Sequence, residues 1–201
     1  MSNHTPTTTW HVSLRSLHWL LFFVIAAAVT CVLIASGYER GNPAKGLFMF
    51  FHKSFGVTAL TLMIIWVIMR LNIGRPQPIG QTWQRRLSMT VHWAMVALVL
   101  ALPLAGLLMS QFAQQSVSVF GLFSIPVWLD ENKAAAKAIH TIHAGFAGPL
   151  LIALVALHAI GALWHHFIDH DATLTRMLMG QRRGKEQGPT DRPTRTSTTG
   201  G

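Results

Sequence analysis

The chain has 201 residues, of which 51% are hydrophobic and only 11% are charged, and its formal net charge is +9. So few charged residues exclude an ordinary soluble domain, in which about a quarter are charged. The single cysteine, Cys31, excludes a disulfide framework and any thiolate-ligated zinc or iron–sulfur site within one chain. The basic residues lie between apolar runs and form no packed basic face, which argues against nucleic-acid binding and indicates a polytopic membrane protein.

Four apolar runs are long enough to cross about 30 Å of hydrocarbon, which takes about 20 helical residues. They cover residues 17–37, 47–71, 87–110 and 138–167. The fourth run exceeds the length that is needed, so we expect it to tilt or to project from the membrane. The sequence therefore predicts an all-α fold, a four-helix transmembrane bundle that covers residues 12–179.

Three stretches are not predicted to cross the membrane. Residues 1–11 are rich in threonine, and residues 180–201 are rich in glycine, proline, threonine and charges, so both are expected to be disordered. Residues 111–137 are expected to form a loop on the outer side. Within that loop, residues 120–123 are expected to lie in the membrane interface as a short amphipathic piece.

The distribution of basic residues orients the bundle. The loop between the second and third spans holds four arginines and no acidic residue, and the tail after the fourth span holds six basic residues. The two opposite loops carry mixed charges. The positive-inside rule therefore predicts that both termini lie in the cytoplasm.

Four of the eleven histidines lie inside or at the edges of the apolar helices: His18, His52, His143 and His158. An imidazole in hydrocarbon is costly unless it has a partner, so these histidines are candidate functional residues. Haem iron is the partner that fits best, because neutral imidazole is a common axial ligand and cysteine is nearly absent.

The depths of these histidines pair them. His143 and His158 lie 15 residues apart on one helix, which separates them by about 22 Å along the axis and by roughly 60° in azimuth. His52 shares the outer depth of His143, and His18 shares the inner depth of His158. The sequence therefore predicts two bis-histidine haems, and a separation of about 22 Å argues against one zinc or non-haem iron site.

The histidines also allow other interpretations. The histidines can be hydrogen-bonded core groups of a haem-free structural or transport protein. His140 lies 18 residues, or five turns, before His158 and competes with His143 as a ligand. His92 opens the third span and is a candidate neighbour of the inner haem or of a quinone. Solvation explains the cluster at the inner end of the fourth span, which comprises His165, His166 and His170.

Three motifs follow one another along the spans: Ser16-Leu17-His18-Trp19, His52-Lys53-Ser54-Phe55-Gly56, and Leu157-His158 leading to His165-His166-Phe167 with Asp169 and Asp171. Together they resemble the bacterial cytochrome b561 family over about residues 12–180. The resemblance implies a four-helix membrane bundle that encloses two b-type haems, with ligand histidines on the first, second and fourth spans. The corresponding residues are His18, His52, His143 and His158.

One feature departs from the pattern that the chain resembles, in which the two ligands on the fourth span are separated by one residue fewer. Pro149 lies between His143 and His158. A proline or a π-bulge can absorb an extra residue in a helix. His140 is the alternative ligand if the extra residue is not absorbed.

The resemblance also implies an activity, which is the oxidation of superoxide at the outer face of a bacterial inner membrane with electrons passed to ubiquinone. Other members of the wider group are cytochrome subunits of dehydrogenases and hydrogenases, and such a subunit is the alternative function. We expect Lys53 to contribute to catalysis by a positive field that attracts superoxide. We expect Arg15 to pair with a propionate of the inner haem, or otherwise to serve only as a topology determinant.

Overall fold

The computed structural model describes residues 10–73 and 81–178, and most of them are helical. Four helices are each long and apolar enough to cross a membrane, as the sequence predicts, and the fourth is interrupted by one π-helical turn. The elements are α1 Val12–Ser36, α2 Pro43–Asn72, α3 Thr82–Phe112, β1 Val117–Val119, β2 Phe123–Ile125, α4 Lys133–Ile142, the π turn His143–Ala147, α5 Gly148–Phe167 and the short α6 Thr175–Leu178.

The helices are longer than the apolar runs of the sequence, because capping residues before these runs start the helices earlier. Asn42 caps α2 by accepting the Ala44 N–H, and Pro43 occupies the first turn, where its missing N–H costs nothing. Asn132 caps α4 in the same way, so that the fourth long helix begins at Lys133 instead of residue 138. The turn that joins α1 to α2 uses Gly41 at a φ of 90°, a conformation that favours glycine.

Helix α1 packs along α2, α2 packs on α3, and α3 packs on both α4 and α5. All four long helices contribute to an apolar cluster at the middle of the bundle. In a membrane, such a cluster is stabilised by close van der Waals packing, because lipid tails are as apolar as the side chains. Its buried members are Leu21, Met63, Val99, Leu102 and Leu151.

The connection between α3 and α4 is a β-hairpin. Strand β1 pairs with β2 in antiparallel fashion, with Val119 opposite Phe123. Phe120 and Gly121 both have positive φ values, 49° and 74°, and the Leu122 N–H donates to the Val119 carbonyl, as in a type I′ turn. Residues 120–123 therefore form the turn of a hairpin and the start of β2, and their place in the membrane interface stays a prediction.

The bundle has two ends, the terminal end and the hairpin end. The terminal end carries Trp10 and Leu178, and there the Arg70 guanidinium lies 4.9 Å from the centre of the Trp10 ring. The hairpin end carries the α1–α2 turn and the β-hairpin. The predicted disorder of residues 1–11 and 180–201 falls almost wholly outside the described residues, as does Arg75.

Candidate functional site

His52 and His143 form a facing pair toward the hairpin end. Their ring centres lie 6.3 Å apart and their planes are nearly perpendicular, at 87°. Two imidazoles that bind one metal ion from opposite sides have ring centres about 6 Å apart, because each metal–nitrogen bond is about 2 Å long and the ring centre lies about 1 Å further. The separation of this pair therefore fits a single metal ion between the two rings.

The ring nitrogens of this pair also fit a metal-centred cofactor. The Nδ1 atom of His52 lies 2.9 Å from the Ala28 carbonyl of α1. Because a carbonyl only accepts, Nδ1 donates, and Nε2 is left with a free lone pair for a metal. The Nδ1 atom of His143 is buried, has no hydrogen-bond partner among the described residues and lies on the side of the ring that faces α3, where a Cβ atom added at Gly106 would be 4.0 Å away.

Helix α3 has a glycine, Gly106, where it lies against the His143 ring. A Cβ atom added at Gly106 would lie 3.5 Å from Cε1 of His143, so the backbone of α3 closely approaches this imidazole. Gly106 could not be identified from the sequence, because a glycine in an apolar helix carries no signal that distinguishes this contact from ordinary helix packing.

A second group of histidines lies toward the terminal end. The ring centres of His18 and His158 are 6.2 Å apart, with an angle of 66° between the planes. This separation again fits one metal ion between two imidazoles. His92 of α3 is a third imidazole at this level, with its ring centre 4.7 Å from that of His158. The structure thus brings together both pairs that the sequence predicts and places His92 beside one of them.

The two histidine levels are well separated along the bundle. On the fourth long helix 15 residues separate His143 from His158, and on α3 14 residues separate His92 from Gly106. At about 1.5 Å per residue both helices place the levels about 21–22 Å apart. The apolar cluster contains residues that lie between the two levels on α3 and α5, namely Val99, Leu102 and Leu151. An apolar layer thus separates the two levels.

A π-helical turn lies directly at His143. It covers His143–Ala147, and the Gly148 N–H closes it by donating to the His143 carbonyl. Pro149 follows and cannot donate to the carbonyl of Gly145, so the regular α-helical pattern is already broken here. The wide turn absorbs one residue of the 15-residue spacing. His143 therefore faces His52, whereas the side chain of His140 is exposed.

Arg15 at the start of α1 makes contacts that the sequence analysis did not foresee. Its Nε and Nη2 atoms donate to the carbonyls of Met177 and Leu178, at 3.2 and 3.0 Å. Nε1 of Trp19 donates to the same Met177 carbonyl at 3.3 Å. These bonds hold α6 against α1. A guanidinium has five N–H donors, so these two bonds leave others available.

Lys53 and Ser54, which follow His52, connect α2 to the hairpin. The Lys53 Nζ atom donates to Oε1 of Gln115 at 3.0 Å. Ser54 is fully buried, and its hydroxyl donates to the Phe50 carbonyl at 2.9 Å and accepts the Phe120 N–H at 3.0 Å. Phe120 has an unfavourable positive φ for a bulky residue, and this bond helps to hold it there. In the sequence, Ser54 is recognisable only as part of the motif that begins at His52.

His165 has specific partners, although the sequence analysis explained it by solvation. Its Nδ1 atom lies 2.7 Å from Oδ2 of Asp171 and 3.0 Å from Oδ2 of Asp169. Burial raises the pKa of Asp171, but hydrogen bonds from Thr173 and His165 outweigh burial, and the net pKa lies below its ordinary value. The cluster folds the chain back after α5 and leads it toward α6.

Comparisons with known proteins agree with this geometry. The family model described as prokaryotic cytochrome b561 matches residues 9–180. Cytochrome b561 homolog 2 of Escherichia coli K12 is 30% identical over 167 residues, which cover 81% of this chain and 87% of that protein. Cytochrome b561 homolog 1 of the same strain is 27% identical over 164 residues, which cover 81% and 92%.

A further relative carries a more specific name. The protein of Yersinia pestis named Probable superoxide oxidase CybB is 27% identical over 168 residues, which cover 83% of this chain and 93% of that protein. The family match, the four apolar helices and the facing histidines agree with one another. The chain is a membrane electron-transfer protein that binds b-type haem, and it belongs to the prokaryotic cytochrome b561 family.

Proposed function

We propose that the chain binds two haem b groups, oxidises superoxide at the hairpin end and reduces ubiquinone. One haem would lie between His52 and His143, and the other between His18 and His158. The observation that carries this proposal is the presence of two histidine pairs, with ring centres 6.3 and 6.2 Å apart, on two separate levels. The name of the Yersinia pestis relative supports superoxide as the electron donor.

The proposed reaction balances without a further reactant. Two superoxide anions would each lose one electron and become dioxygen, and one ubiquinone would take up both electrons and two protons to become ubiquinol. Haem, when bound, supplies a carrier for single electrons. Because each level offers two imidazoles, His52 and His143 would hold one haem and His18 and His158 would hold the other, so that electrons would reach and leave each haem without a substrate ligand.

The charges of the chain support an orientation in a bacterial inner membrane. Arg70, Arg85 and Arg86 lie at the ends of α2 and α3 at the terminal end. The positive-inside rule would place that end, with both termini, in the cytoplasm, and the hairpin end in the periplasm. Lipid would surround the bundle, and nucleic acid is not a partner.

Three further side chains would assist the two haems. Lys53 follows the ligand His52 and is tied to Gln115, so its charge stays at the hairpin end, where a positive field attracts an anion. Arg15 lies within one turn of His18 and retains donors for a propionate. His92 contacts the ring of His158 and belongs to the same haem pocket.

Stopped-flow mixing of the oxidised, haem-loaded protein with a superoxide source tests the proposed activity. We expect superoxide to reduce the haem faster than it dismutates spontaneously. We expect the protein to complete more than one turnover only when ubiquinone is added. Lys53→Glu should lower the second-order rate by about three- to tenfold without changing the haem spectrum, and added salt should lower the wild-type rate. Arg86→Glu makes the same change of charge at the terminal end and is the matched control.

Two results would separate the parts of the proposal. A reaction no faster than dismutation, in a protein that holds two haems, would reject superoxide oxidation. It would leave the chain as an electron-transfer subunit that serves a partner dehydrogenase or hydrogenase. A haem content of one or none per chain would instead contradict the proposed ligand pairs.

A further inference from the structure

Three imidazoles meet at the terminal histidine level, although one haem iron takes only two. His18 and His158 face each other with ring centres 6.2 Å apart. The third ring, that of His92, lies at 4.7 Å from His158 and stands at 85° to it. This distance and this angle are those of an edge-to-face contact between two rings. His92 therefore contacts the His158 ring itself.

His92 is fixed to its own helix. Its Nδ1 atom lies 2.6 Å from the Ser88 carbonyl one turn earlier, and the Ser88 hydroxyl lies 3.3 Å from the same nitrogen. Because the carbonyl only accepts, Nδ1 carries a proton and donates it in this bond. The bond restrains the rotation of the His92 ring, so its edge meets His158 in a defined orientation.

The other histidine level has no such neighbour on α3. Helix α3 presents Gly106 to His143, where a Cβ would lie 3.5 Å from the ring, and thus leaves that imidazole room. At the terminal level the same helix presents an aromatic ring in edge contact with His158. The two levels therefore differ in how firmly α3 restrains the histidine of the fourth span.

We propose that His92 is a positioning residue, whose anchored ring fixes the rotation of the His158 imidazole and thereby the angle between the two ligand planes of the terminal-level haem. This inference rests on the proposed function, because it requires a haem between His18 and His158. The plane of an axial imidazole selects which iron d orbitals its π system meets. Neighbours that orient a ligand therefore change the g-values and the potential of the metal.

Electron paramagnetic resonance of the oxidised protein, together with a redox titration, tests this role. In His92→Ala we expect the largest g-value and the midpoint potential of the terminal-level haem to shift, with both values of the other haem unchanged. His158→Ala identifies the terminal-level signal by its loss. Ser88→Ala removes only the hydroxyl and keeps the carbonyl that accepts from His92, so it should leave both signals in place.

The role of His92 and the presence of two haems can be tested separately. Unchanged g-values and potentials in a His92→Ala protein that holds two haems would overturn the inference and leave the ligand pairs intact. If His92→Ala loses the terminal-level haem, His92→Phe is the second variant to test. It keeps a ring of similar size without the Nδ1 donor. A shift of the terminal-level signal that is smaller than a complete loss supports the inference. Loss of this haem in both variants would overturn it. A wild-type protein without a second haem would instead contradict the proposed function.

Discussion

His52 and His143 face each other across the bundle with ring centres 6.3 Å apart, although they lie on the second and fourth long helices. The Ala28 carbonyl of the first helix holds His52 by its Nδ1 atom, and Gly106 of the third helix lies against His143. All four long helices therefore meet at this level, which makes its geometry sensitive to single substitutions.

We expect His52→Ala and His143→Ala to lose the same haem, because each removes one of the two facing imidazoles that we propose as its ligands. His18→Ala and His158→Ala should lose the other haem for the same reason. A pyridine haemochrome assay should give two haems per chain in the wild type and one in each variant, and redox titration should show which haem remains. His140→Ala is the control that should keep both. If His140→Ala loses a haem while His143→Ala keeps both, the π turn does not select the ligand as described.

Gly106 offers a graded test of the space beside His143. Gly106→Ala places a Cβ at ordinary contact distance, 3.5 Å from Cε1 of His143, and should leave the haem content unchanged. Gly106→Leu adds three further carbon atoms beside the His143 ring, and we expect this overpacking to cost about 1–3 kcal/mol. We expect it to lower the occupancy of the hairpin-level haem and to leave the visible spectrum of the other unchanged. Equal haem content in the two variants would show that α3 does not confine His143.

Ser54→Ala should loosen the hairpin. The substitution leaves the Phe120 N–H without its acceptor, and losing an ordinary, partly buried hydrogen bond costs about 0.5–1.5 kcal/mol. Amide exchange in peptides that contain Phe120 should become roughly two- to twelvefold faster, as measured by mass spectrometry. The matched control is Thr61→Ala, which removes an exposed hydroxyl that donates to the Val57 carbonyl of the same helix. Equal exchange in both variants would contradict the role assigned to Ser54.

The turn after α5 should lose stability only in acid. The pKa of Asp171 in the folded chain lies below its ordinary value of 3.8, so its ionised form stabilises the turn at higher pH. This contribution is lost as the pH falls through the folded pKa. The Thr173 amide donates to Oδ1 of Asp171 at 2.7 Å, and its NMR shift should titrate with a midpoint below pH 3.8. Asp171→Asn should abolish the titration, and a midpoint above that value would contradict the assignment.

The spans and the histidine pairs could be predicted from sequence because each depends on local regularity. About 20 apolar residues define a span, and 1.5 Å per residue sets the depth of each histidine once the topology is known. The π turn at His143 did not follow from local regularity, because the extra residue shows only against the family that the chain resembles, and a proline or a π-bulge could each absorb it.

Contacts between distant segments could not be predicted in this way. Strands β1 and β2 have three residues each, which is too short for an alternating pattern to stand out. Ser54 acquires its role only when Phe120, 66 residues later, folds back onto it. Arg15 was recognised by its charge, but its partners are backbone carbonyls of α6, and a carbonyl has no signature in the sequence.

The π turn also affects how this chain should be aligned with its relatives. An insertion inside a transmembrane helix normally rotates every later residue by about 100° and turns its buried face toward lipid. The wide turn at His143–Ala147 takes up the additional residue locally, so α5 keeps its face toward the bundle. A relative whose spacing is one residue shorter therefore aligns correctly only with a gap placed between residues 143 and 148, inside the membrane span. An alignment that forbids this gap would match His143 or His158 to a neighbouring residue.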